Sequence, residues 1–162
     1  AFFKYCKRIP NFGIVQTLFL KNNSDRVKET LEYVFNLGYD VIAIDSIAEV
    51  LDMVKDNYKS SYGEAELWFL ALQDKHKMGK NPNNYYTTFI NIQQVTKGGE
   101  FSGSNRLKHM TDGMCHIEKD KNGLQRSLYF SKNRDCDKDF KVYFAISKGD
   151  IYYSYELDNN EL

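Results

Sequence analysis

Val41-Ile42-Ala43-Ile44-Asp45-Ser46 is a short run of apolar, β-branched-rich residues that stops at a carboxylate. Such a run, too short for a helix and bounded by polar residues, reads as a buried strand with an acid at its carboxyl end. Upstream, Val27, Leu31, Val34 and Phe35 recur at helical spacing between Asp25 and Leu37, with Ser24 as N-cap and Gly38 as the stop. Still earlier, Phe12 to Leu20 (FGIVQTLFL) reads as a second buried strand, ending in the loop Lys21-Asn22-Asn23. Downstream, Ile47 to about Val54 returns to helical spacing, and Asp56 to Gly63 (DNYKSSYG) is polar and weakly patterned, as expected of a mobile loop. Glu64 to His76 is helical, with Leu67, Phe69, Leu70 and Ala71 inside a charged frame. Lys80 to Asn84 (KNPNN) has turn composition, and Thr87 to Ile92 (TTFINI) is a third buried strand.

Beyond Gly98-Gly99 the pattern changes. A glycine-rich loop runs to Asn105, a short helix is expected over Asn105 to Met110, and strand-like segments follow at Gly113 to Glu118, Gln125 to Ser131, Phe140 to Ser147 and Ile151 to Tyr155. Turns are expected at Lys121-Asn122-Gly123 and Lys148-Gly149-Asp150. Strands alternating with helices, then hairpins, predict an α/β domain over 1–162: a mostly parallel twisted sheet flanked by helices, with an antiparallel C-terminal hairpin edge.

Composition bounds the function. The chain has 162 residues, 42% apolar and 27% charged, with 22 Lys plus Arg against 22 Asp plus Glu. That balance excludes a globally basic nucleic-acid binder, so any DNA contact must come from local patches. No apolar run is long enough to span a bilayer, and the N-terminal residues do not form a signal peptide. Cys6, Cys115 and Cys136 are widely spaced, and with His76, His109 and His116 they complete no zinc-ligand spacing; reduced thiols in a cytoplasmic protein are expected. Glu64, Glu66, His76 and His109 make no metal-ligand motif. No G-x-S-x-G occurs, and Ser46, Ser102 and Ser104 lack a His and Asp arrangement for a protease. Twelve Tyr and eleven Phe, Tyr85-Tyr86, Tyr129 and Tyr152-Tyr153 among them, are more simply read as packing than as base-stacking platforms.

Several short segments carry chemistry. An acid such as Asp45 at a strand's carboxyl end faces the crevice where open α/β sheets bind ligands, and in ATPases with a phosphate-binding loop it holds Mg²⁺ through water. Asp45-Ser46 could equally cap the next helix. An amide at Gln93-Gln94, ending the third strand, could sense a γ-phosphate or make structural polar contacts. The series Thr96-Lys97-Gly98-Gly99, Gly103 and Leu107-Lys108-His109-Met110-Thr111-Asp112, followed by Lys132-Asn133-Arg134, adds a combination of motifs in fixed order.

These segments together resemble the RadA (Sms) family of bacterial RecA-like DNA-repair ATPases, over roughly Phe12 to Tyr155. The family has a Thr-Lys-x-Gly stretch, a glycine loop, a Leu-x-His-Met-x-Asp segment and a later Lys-Asn-Arg-Phe-Gly motif. The resemblance implies the C-terminal part of a RecA-type P-loop ATPase core. It makes Asp45 the acid that holds Mg²⁺, with Ser46 and Gln94 beside the nucleotide, although the family usually has a small residue and His near the Gln94 position. It places Lys97, Gly98, Gly99, Gly103, Asn105, Arg106 and Lys108 against single-stranded or branched DNA; a solvated surface loop is the alternative. It makes Lys132 and Arg134 cationic fingers offered to the nucleotide of the next subunit, in a ring of identical subunits, a hexamer. Asp135-Cys136 stands where the family has Phe-Gly, and a carboxylate there could draw Arg134 away from a nucleotide.

No G-x-x-x-x-G-K-[ST] phosphate-binding loop occurs. ATP and Mg²⁺ are therefore expected to belong to a full-length parent, and this chain, which also starts without Met, is expected to bind ATP poorly and to be inactive by itself. Two other readings stay open: a replicative helicase core of the DnaB type, and a non-enzymatic module docking on a RecA-type partner.

Overall fold

A computed structural model describes residues 26–93, 104–119, 125–134, 141–147 and 150–154. The chain divides into two compact units, one holding the described residues up to Leu107 and the other those from Lys108 onward. The expected strand at Phe12 to Leu20 and the Ser24 cap lie outside the described residues.

In the first unit, helix α1 (Val27–Asn36) buries Val27, Leu31 and Phe35, one residue per turn on a single face. It ends before Gly38, whose φ of +78° is a left-handed conformation that disfavours a side chain; a Cβ there would also strike the ring of Tyr85. Strand β1 (Val41–Asp45) follows, then helix α2 (Ile47–Tyr58), helix α3 (Tyr62–Lys77) and strand β2 (Thr88–Ile92). The strands pair in parallel, Val41 opposite Thr88 through Asp45 opposite Ile92, as two α/β strands joined by a helical crossover should. Ile44 joins the core of α1, α2 and α3, where Phe35, Leu51, Val54 and Phe69 are almost fully buried, and Ile42 and Phe89 pack against it. The other face of the pair is open: Val41, Ile90 and Ile92 are 54%, 52% and 44% exposed.

The loop expected over Asp56 to Gly63 is a correction. Helix α2 runs on to Tyr58, whose hydroxyl donates to Glu29 of α1 at 2.8 Å, and Ser61 starts α3 as one half of a capping box with Glu64. Only residues 59–61 link the helices, with Lys59 left-handed at φ 47°. The Lys80 to Asn84 turn is present, built on the buried Asn81, which donates to Tyr85 O at 2.6 Å and accepts from the backbone N–H groups of Asn83 and Tyr85.

Helix α4 (Asn105–Met110) spans the division between the units. In the second unit β3 (Gly113–Lys119), β4 (Arg126–Asn133), β5 (Lys141–Ser147) and β6 (Asp150–Ser154) form an antiparallel sheet in sequence order, with a register shift between Met114 and Cys115. Among the described residues the fold is mixed α/β, with a two-stranded parallel sheet and a four-stranded antiparallel sheet. Among the described residues no ladder joins the two. Strands linked by short connections pair with their sequence neighbours, which gives the last four a sheet of their own. On that sheet the Tyr129 hydroxyl donates to Glu118 at 2.7 Å, so its phenol titrates above the usual range, and its ring stacks on His116. A packing role for this tyrosine fits those contacts.

Candidate functional site

Parallel pairing brings the carboxyl ends of β1 and β2 to one edge, with Asp45 directly opposite Ile92 and Gln93 next along the chain. Asp45 is exposed, and among the described residues no hydrogen bond or ion pair occupies its carboxylate. Ser46 is the N-cap residue of α2 and is 8% exposed; the peptide between Asp45 and Ser46 is cis. The Ser46 side chain makes no capping hydrogen bond among the described residues, and its carbonyl accepts from Val50 N–H at 3.4 Å. The carboxylate at this tip is thus not committed to holding the following helix. Gln94 lies outside the described residues, so its position at the strand end is not part of this geometry.

Among the described residues no cluster of three or more His, Cys, Asp or Glu side chains could hold a metal ion. Asp45 offers one carboxylate, which fits a Mg²⁺ whose other ligands are water and phosphate oxygens and does not fit a cation held by protein alone.

Lys97, Gly98, Gly99 and Gly103 also lie outside the described residues. Ser104, the first described residue after them, caps the first turn of α4: its hydroxyl accepts Leu107 N–H at 3.2 Å and donates to Glu66 at 2.6 Å. Glu66 is a carboxylate on α3 at 3% exposure, and the half-exposed guanidinium of Arg106 lies 3.9 Å from it. Asn105 and Lys108 are exposed, Leu107 is buried, and the three residues differ because one face of this short helix enters the core. Of the basic residues expected at DNA, Lys108 is exposed and makes no ion pair among the described residues, whereas Arg106 leans on Glu66.

Lys132 and Arg134 stand at the end of β4, next to the carbonyl end of α4 in the second unit. The Lys132 ammonium donates to the backbone carbonyls of Lys108 at 2.8 Å, His109 at 3.0 Å and Thr111. Arg134 donates through Nη1 to Asp112 at 2.9 Å and through Nη2 to the His109 carbonyl at 3.2 Å, while its backbone N–H bonds Asp112 O at 3.1 Å. Among the described residues the acid that engages Arg134 is Asp112, and Asp135 lies outside them.

No family model matches the chain. Its sequence is distantly similar to RadA. Against the DNA repair protein RadA of Chlamydia trachomatis serovar D it is 29% identical over 122 residues, which is 72% of this chain and 24% of that protein. Against the DNA repair protein RadA of Chlamydia pneumoniae it is 28% identical over 117 residues, again 72% of this chain and 24% of that protein. The chain therefore spans about a quarter of the length of the curated relatives it matches, 24% in both cases.

Two groups in this geometry had a readable signal that apolar patterning passes over. Glu66 sits at helical spacing with Phe69, Leu70 and Gln73, a polar residue on a core stripe. Asp112 closes the Leu-x-His-Met-x-Asp segment, and only the fold reveals that its partner is Arg134, distant in sequence on β4.

Proposed function

We propose that this chain is part of a DNA-dependent ATPase acting in DNA recombination and repair, and that the shared tip of β1 and β2 is its nucleotide-facing edge. The observation that carries this reading is the uncommitted carboxylate of Asp45, in parallel register with Ile92 at the carboxyl end of an α/β strand pair. Similarity to two proteins named for DNA repair supports the biological setting.

In this reading Asp45 holds Mg²⁺ through water, with Ser46 and Gln94 close to the phosphates, and the bound ion would neutralise charge as the terminal phosphate leaves. The glycine loop with Lys97, and Asn105 and Lys108 on α4, would follow a DNA backbone, and the Lys132-Asn133-Arg134 segment would meet the nucleotide of the next subunit in a ring. A phosphate-binding loop has to come from outside this sequence. The chain by itself should therefore show no Mg-ATP turnover, and the intact gene product should show turnover stimulated by single-stranded or branched DNA. An intact product that has neither a phosphate-binding loop nor any DNA-stimulated ATP hydrolysis would sink the proposal.

A further inference from the structure

Glu66 is a carboxylate buried on the stripe of α3 that also carries Phe69, Leu70 and Gln73. A charge taken out of water is costly unless hydrogen bonds or an opposite charge compensate it. Glu66 has one of each. Its Oε1 accepts the Ser104 hydroxyl at 2.6 Å, and Nη1 of Arg106 lies 3.9 Å from its Oε2. The first contact is a short hydrogen bond; the second is within ion-pair range and too long for a hydrogen bond.

The two contacts therefore act differently on α4. Ser104 carries the hold of the carboxylate into the backbone, because the same hydroxyl accepts Leu107 N–H at 3.2 Å. A helix of six residues is marginal by itself, so α4 depends on the buried Leu107 and on this relay from Glu66. Arg106 is held by charge alone. A guanidinium has five N–H donors, none of them spent in a hydrogen bond to Glu66, and the Arg106 side chain is 48% exposed. It can turn to another anion, but only by leaving a buried carboxylate without its cation.

We infer that Glu66 is a positioning residue for nucleic-acid binding, which fixes the start of α4 through Ser104 and keeps Arg106 in reserve. A phosphate gains Arg106 only when the guanidinium gives up Glu66, so Glu66 lowers both the affinity for a nucleic-acid strand and its salt dependence. The inference rests on the reading of Asn105 and Lys108 as nucleic-acid contacts.

The test measures binding of an end-labelled oligothymidylate to the 162-residue chain by fluorescence anisotropy over a series of salt concentrations, with amide hydrogen exchange across α4 alongside. Glu66→Gln keeps an acceptor for Ser104 and removes the charge. It should tighten binding about threefold or more and steepen the salt dependence by about 0.7, the value of one further phosphate contact on a single strand. Arg106→Gln should bind within about twofold of the native chain, and in the double variant the gain from Glu66→Gln should vanish. Ser104→Ala, which removes the cap and spares the ion pair, should speed exchange in α4 without tightening binding. A gain that survives in the double variant, or equal binding by the native and Glu66→Gln chains, overturns the inference and leaves the nucleic-acid reading standing. Arg106→Gln that by itself weakens binding more than about threefold also overturns it, whether or not Glu66→Gln folds, because Arg106 would then already be on the strand. No binding by any of these chains overturns the inference together with the assignment of Asn105 and Lys108.

Discussion

His76 lies on α3 at 1% exposure, edge-on to Phe35 with ring centroids 5.5 Å apart, and among the described residues neither ring nitrogen has a hydrogen-bond partner. Burial first, and the neighbouring Lys75 charge second, hold its titration below the ordinary histidine value of 6.5. The unfolded chain then binds a proton before the folded one does, so the stabilisation is complete above 6.5 and is lost as pH falls from there through the lowered folded value. Chemical denaturation at pH 7 and pH 5 should show that loss, and His76→Leu, close in volume and without polar atoms, should flatten it. A pH dependence equal in the two proteins would mean that another group controls acid stability. Apolar periodicity alone could not assign this residue. Leu67, which that pattern expects inside, is 51% exposed, while Glu66, Gln73 and His76 share the buried stripe with Phe69 and Leu70. Glu66 and Gln73 are held there by particular neighbours that arrive from distant sequence, Ser104 for Glu66 and Asn91 for Gln73.

The Gln73–Asn91 pair shows what those neighbours do between elements. The two amides exchange hydrogen bonds, Gln73 Nε2 to Asn91 Oδ1 at 2.8 Å and Asn91 Nδ2 to Gln73 Oε1 at 3.0 Å, and so tie α3 to β2. Asn91→Ala leaves a buried amide without its partner and should cost roughly 1–3 kcal/mol, while replacing both residues with Leu should cost clearly less. Denaturant melts of the two variants decide the matter, and equal costs would argue against the pair. The start of α3 makes a second element-scale prediction. Ser61→Ala removes the acceptor for Glu64 N–H and should cost about 1 kcal/mol in the same melts. Elements with a clear apolar period, α1 and β1 among them, were readable in advance. The α2–α3 junction was not, because DNYKSSYG looks like loop to any composition-based reading, although Ser61 and Glu64 do have capping-box spacing. The extension of α2 depends on Tyr58 reaching Glu29, again a contact between distant residues.

For the molecule as a whole, the alternation of strands and helices gave the α/β class and the parallel pairing of β1 with β2. It did not give the sheet that the last four strands form among the described residues, because sequence pattern fixes which segments are strands and says little about which ladder joins which. Among the described residues no helix is long and apolar enough to cross a membrane. The open face of β1 and β2, with Val41, Ile90 and Ile92, should tolerate substitution in a way that the core face does not. Ile90→Thr should change stability by less than about 1 kcal/mol, whereas Phe89→Ala, facing Phe35 at 4.9 Å between centroids, should cost about 3 kcal/mol. Similar costs at the two positions would show that both faces are packed in solution.

The carboxylate at the β1 tip carries the functional proposal, and DNA-stimulated Mg-ATP hydrolysis by the intact gene product tests it most directly, native protein against Asp45→Asn. Hydrolysis should fall by about a hundredfold, with the melting temperature unchanged, because the substitution removes the charge that holds Mg²⁺ and leaves an exposed side chain of the same shape. An Asp45→Asn protein that hydrolyses ATP at the native rate would contradict the assignment of this edge to the nucleotide.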